Sequence, residues 1–102
     1  MTTSNLDFLA TLESIVVGRM KNPSEESYTS SLIAKGPKRI AQKVGEEAVE
    51  LAIASVDGDR VETVNEAADL LYHLLVLLNS QNITLGEVAT ELESRHTPNG
   101  TR

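Results

Sequence analysis

Two pairs of carboxylates raise the question of chemistry. Glu47 and Glu50 stand three residues apart, and so do Glu66 and Asp69. Residues at that spacing share one face of a helix. Glu46 extends the first pair to the string EExxE. Four converging carboxylates repel one another unless a cation neutralises them. An all-oxygen donor set favours Mg2+ or Mn2+ over Zn2+. A basic run precedes the acids. Lys35, Lys38, Arg39 and Lys43 fall within nine residues that hold no acid. Gly36-Pro37 sets part of that run at a helix start, where backbone N–H groups also favour anions. A divalent cation flanked by Lys and Arg is recurrent equipment for phosphoryl chemistry. The bland alternatives are a solvated acidic face and a solubilising basic patch.

Charge distribution sharpens the point. The 102 residues carry a formal net charge of −6. Residues 46–69 hold eight acids and one base, Arg60, so that stretch is −7 and the remainder +1. Such a chain is a poor non-specific partner for nucleic acid, which is bound through Lys/Arg and counterion release. There is no cysteine. Disulfides, thiolate zinc and iron–sulfur sites are thereby excluded. No signal peptide pattern and no membrane-length apolar run is present, which leads us to expect a cytoplasmic protein. Glycine-rich phosphate loops and Ser/His/Asp or Cys/His constellations are also missing.

The elements that must position the acids are helical. Leu, Ala, Val, Ile and Glu recur at three and four residues, the helical period. Residues 5–19 form a first helix, closed at Gly18. A second spans 22–36, starting at Asn22-Pro23-Ser24 with Glu25 and Glu26 in its first turn and Gly36 after its end. Pro37 opens a third, running to about Val56. Asp57-Gly58 is a turn, and Asp59 with Glu62 starts a fourth helix to about Ser80. After the break at Gln81-Asn82, Thr84-x-x-Glu87 is a capping box for a last helix ending near Arg95. The expectation is one all-α domain, a four-to-five-helix bundle over residues 1–96, with a flexible tail at 97–102.

Both middle helices carry acids in unusual places. On the third, Ile40, Val44, Ala48, Leu51 and Ala52 make a core face, and Val49, Ile53 and Val56 a second apolar face. Glu46, Glu47, Glu50 and Lys43 lie between the two. A plain amphipathic helix has one apolar side. Residues 67–78 read AADLLYHLLVLL, apolar nearly all round, with Asp69 as the one acid. Helices of that kind are normally buried, and an unpaired buried carboxylate costs several kcal/mol. The short connection makes the two helices antiparallel, with both acid pairs at matching heights. Gly45 marks either a close helix approach or simple tolerance. His73 reads as a hydrogen-bonded core histidine rather than a ligand, Tyr72 as a core or interface aromatic, and His96 as inert.

These residues resemble a known family. EExxE followed by ExxD on consecutive helices is similar to the all-α, MazG-like nucleoside triphosphate pyrophosphohydrolases. Ser27–Glu50 (SYTSSLIAKGPKRIAQKVGEEAVE) and Glu66–Leu78 (EAADLLYHLLVLL) resemble the phosphoribosyl-ATP pyrophosphatase family in particular. The resemblance implies cleavage of phosphoribosyl-ATP to phosphoribosyl-AMP and pyrophosphate, a step of histidine biosynthesis. It implies Mg2+ held by Glu47, Glu50, Glu66 and Asp69, with Mn2+ as a possible substitute. Glu46 could complete the metal site, orient the attacking water or act from behind. Glu46 and Glu47 are the candidate catalytic acids. Lys35, Lys38, Arg39 and Lys43 are the candidate contacts to the triphosphate. The family is dimeric, with helices packed across subunits, which agrees with the excess apolar surface of the middle helices; the expectation is a homodimer, with a higher oligomer as the alternative. Two other functions fit the same pattern: a house-cleaning (d)NTP pyrophosphohydrolase and a non-catalytic helical dimerisation module.

Overall fold

The computed structural model describes residues 5–96. Every regular element among them is helical. A single 3-10 turn, Asn5–Asp7, leads into α1 (Phe8–Lys21). There follow α2 (Tyr28–Ala34), α3 (Pro37–Asp57), α4 (Arg60–Ser80) and α5 (Leu85–Arg95). The all-α expectation holds. The proposed tail at 97–102 lies outside the described residues.

The boundaries follow from local chemistry. Gly36 takes φ +96°, a conformation that suits glycine, and Pro37 stands at the first position of α3. Gly58 adopts the left-handed conformation that ends α3. Asp59 then caps α4 by accepting from the Glu62 amide at 3.0 Å. Asn82, at φ +61°, closes α4 in a Schellman motif: the Asn82 amide bonds to Asn79 O and the Ile83 amide to Leu78 O. Thr84 and Glu87 form the reciprocal capping box of α5.

Two boundaries differ from the sequence reading. Helix α1 continues through Gly18 to Lys21. Met20 packs against the core and draws on another turn, which outweighs glycine's helix cost of about 1 kcal/mol. Helix α2 starts at Tyr28, not at Asn22. Ser24 accepts from the Glu26 amide and closes a turn onto Ser27. Ser27 then becomes the cap, its side chain accepting from the Ser30 amide.

Helices α3 and α4 form the backbone of the fold, an antiparallel hairpin with the most extensive contact in the chain. Each has 21 residues, or about 31 Å. At its open end, Ile40 and Val76 join Val16 of α1 and Leu32 of α2 in the buried core, with Met20, Ile33, Tyr72 and Leu77 packed around them. The buried stripe of α3 is Ile40, Glu47 and Ala54, with Val44 and Leu51 half-buried between them. That is the seven-residue repeat of a helix–helix seam. The core face expected from the sequence is thus corrected: Ala48 and Ala52 are exposed, and an acid lies in the seam. A Cβ at Gly45 would meet nothing within 4 Å, so close packing within the chain does not explain that glycine. No helix among the described residues is long and apolar enough to cross a membrane.

Candidate active site: an acidic seam in the helical hairpin

The acids meet because the hairpin is symmetric about its turn. Glu47 lies eleven residues before Gly58, and Asp69 lies eleven after. Glu50 and Glu66 lie eight before and eight after. Antiparallel pairing sets Glu47 level with Asp69 and Glu50 level with Glu66. Carboxylate oxygens of Glu47, Glu66 and Asp69 come within 4.8 Å of one another.

Burial inverts one expectation. Asp69 is exposed, so the cost argued for burying it does not arise in the single chain. The buried acid is Glu47, at 6% exposure. A helical wheel gives each side chain a direction but not the neighbour that covers it. Glu47 has one cationic partner, Lys43, whose Nζ lies 3.2 Å from Oε2. Its Oε1 is buried with no hydrogen-bond partner, and so is Oε2 of half-buried Glu66. Orphaned carboxylate oxygens of this kind are rare in folded proteins.

The electrostatics register the crowding. A hydrogen bond with Glu50 pushes the Glu66 carboxyl up to about 7, helped by desolvation and by the charges of Glu50, Glu47 and Asp69. Lys43 is raised, chiefly by its hydrogen bond to Glu47. Exposed Glu50 thus neighbours Glu66 from the rim of the cluster. Glu46 is outside the cluster. It accepts from Gln42 Nε2 at 2.9 Å and lies 3.9 Å from Lys43. Lys35 and Lys38 are exposed and Arg39 is half-buried. Of the basic run, Lys43 is the residue in ion-pair contact with the acids.

Sequence reasoning passed over Tyr28. Its hydroxyl lies 3.0 Å from Nε2 of His73, whose Nδ1 lies 2.7 Å from the Asp69 backbone oxygen. His73 is buried and doubly hydrogen-bonded, as the core reading required. Nothing local marks Tyr28, because its partner is 45 residues away.

The donor set fits a hard divalent cation. It consists of carboxylate oxygens alone, two of them buried without partners. Fold and site together define an all-α domain with a partly buried acidic cluster beside a lysine. Comparison with known proteins narrows that class. The profile of the phosphoribosyl-ATP pyrophosphohydrolase family matches residues 9–96, and the chain belongs to that family. The phosphoribosyl-ATP pyrophosphatase of Methylobacterium nodulans is 58% identical over 92 residues, covering 90% of this chain and 86% of its own. The histidine biosynthesis bifunctional protein HisIE of Photobacterium profundum is 52% identical over 91 residues. That match covers 89% of this chain but 44% of the relative, so the chain spans less than half of the bifunctional protein.

Proposed function

We propose that this chain hydrolyses phosphoribosyl-ATP to phosphoribosyl-AMP and pyrophosphate, breaking the bond between the α and β phosphates. The observation that carries the reading is the acid cluster of Glu47, Glu66 and Asp69, with its two orphaned buried oxygens. Family membership supports it, as does the name of the Methylobacterium relative.

Glu47, Glu50, Glu66 and Asp69 would hold Mg2+, with Mn2+ as a substitute. The ion would supply charge stabilisation at the phosphates and lower the pKa of a bound water. Glu47 is fixed in the seam, so its carboxylate costs no reorganisation when charge develops. Lys43 bridges toward both Glu46 and Glu47. It is placed to exchange those partners for phosphate oxygens. Glu46, exposed and tethered by Gln42, can accept a proton from the attacking water at the rim. Lys35, Lys38 and Arg39 supply further positive charge along the start of α3.

The working form is a homodimer in the cytoplasm. Val49, Ile53, Val56, Val61 and Val64 are 56–85% exposed around the closed end of the hairpin. The radius of gyration is 15.4 Å, against about 13 Å for a compact domain of 100 residues. A second copy covering that end would account for both.

Pyrophosphate release from phosphoribosyl-ATP, dUTP and dCTP in Mg2+ tests the assignment. Phosphoribosyl-ATP should be turned over fastest. Faster turnover of dUTP or dCTP would replace this reading with a house-cleaning pyrophosphohydrolase.

A further inference from the structure

Two consecutive residues of α2 bond two consecutive residues of α4. Tyr28 pairs with His73, and Oγ1 of Thr29 is hydrogen-bonded to the Tyr72 hydroxyl. The Asp69 carbonyl can only accept, so Nδ1 of His73 carries a proton. In the neutral ring Nε2 is then an acceptor, and the Tyr28 hydroxyl donates to it. The three rings pack side by side. Tyr28 and Tyr72 centroids are 6.1 Å apart. His73 meets Tyr28 at 5.8 Å and Tyr72 at 5.1 Å, both edge-on at 82°.

The chain has three aromatic residues, Phe8, Tyr28 and Tyr72, and two of them gather here. Tyr28 is fixed at its tip yet 51% exposed. A tyrosine serving packing alone would bury its ring. Through His73, which bonds the Asp69 backbone oxygen, this one stands one turn of α4 from the acid site. A rigid, open aromatic face beside a phosphate-type centre suits a nucleobase, which stacks without needing a hydrogen-bond code.

We propose that Tyr28 is the platform on which the purine base of the nucleotide substrate stacks, and that His73 is the positioning residue that holds it. The proposal rests on the nucleotide-hydrolase reading above. Binding rather than turnover tests it, by calorimetry in Mg2+ with two probes. One is α,β-methylene-ATP, which has a base; the other is inorganic tripolyphosphate, which has none. Tyr28→Leu should weaken α,β-methylene-ATP about tenfold or more and leave tripolyphosphate within about twofold. Tyr28→Gln removes the ring but keeps a donor for His73, and it should behave like Tyr28→Leu. Tyr28→Phe keeps the ring and loses the tether, so its loss should be smaller. Equal weakening of both probes, or unchanged α,β-methylene-ATP affinity, overturns the platform. Wild-type protein that binds tripolyphosphate but not the nucleotide also overturns it, while leaving the cation site intact. Failure to bind either probe overturns the hydrolase reading together with the platform.

Discussion

Lys43 and Glu47 face each other one turn apart on α3, with Nζ 3.2 Å from Oε2. The pairing satisfies half of a buried carboxylate. The other oxygen, Oε1, has no partner. Glu47 therefore sits in the seam in a form that the single chain does not fully accommodate. In the proposed enzyme Glu47 would be one of the residues that hold the cation.

Glu47→Gln should separate stability from function. It removes a charge crowded by Glu66 and Asp69 while nearly preserving shape. Metal-free stability should stay level or rise in urea unfolding. Mg2+-dependent hydrolysis should fall by about 10²-fold or more, the scale of losing one charge-stabilising group, about 2.7–4 kcal/mol. A rate within a few-fold of wild type would remove Glu47 from the mechanism.

Most of the frame was legible in the sequence because it is written in local rules. Pro37, Gly58, Asp59 and Thr84 each fix a helix end through their own backbone or side chain. The hairpin register was legible too, since the acid pairs are equidistant from Gly58. Long-range choices were not. Ser24 and Ser27 offer two rival starts for α2, and the Ser30 side chain, which accepts from the Ser24 amide, helps hold the turn before the helix. Asp69 stands in an apolar run, yet what covers that run is decided by neighbours. A seven-residue count from Ile40 through Glu47 to Ala54 would have placed the acid in the seam. No comparable signal would have found Tyr28.

Ligation should be visible as stability. A cation that binds the folded chain and not the unfolded one stabilises by about 2.7 kcal/mol at a hundred times its Kd. At that concentration Mg2+ or Mn2+ should therefore raise the Tm of the wild type by about 10 °C or more, and EDTA should reverse it. Asp69→Asn should abolish the rise and reduce hydrolysis by about 10²-fold. A metal-induced shift that survives Asp69→Asn would move the site elsewhere.

The acid cluster also sets a pH dependence. Glu66 is pushed up to about 7 in the fold, first by its hydrogen bond with Glu50. A raised carboxyl pKa means that the folded state favours the protonated form. Its stabilisation is complete below the ordinary Glu pKa of about 4.3 and is lost as pH rises through about 7. Metal-free protein in EDTA should lose stability between about pH 4 and 7, and Glu66→Gln should flatten that slope. Cation binding requires the ionised form, so Mg2+ affinity should rise over the same interval with release of a proton. Calorimetry in buffers of different ionisation enthalpy measures that release. Identical heats in all buffers at pH 6 would count against Glu66 as a ligand.

Glu13 ties α5 to the rest of the fold. Its Oε2 accepts from the Leu85 amide at 2.7 Å and from Asn79 Nδ2 at 2.9 Å. One carboxylate thus joins α1, the end of α4 and the first turn of α5, where the helix dipole also favours negative charge. No residue of α5 is buried, so little apolar packing substitutes for this contact. Hydrogen bonds to charged groups contribute about 1.5–3 kcal/mol each. Glu13→Ala should cost at least about 1.5 kcal/mol in urea unfolding. It should also speed hydrogen exchange at the Leu85 amide by tenfold or more, with little change along the α3–α4 seam. Glu13→Gln keeps an acceptor and should recover part of both. Exchange at Leu85 that stays as slow as in the wild type would show that α5 is held by something other than Glu13.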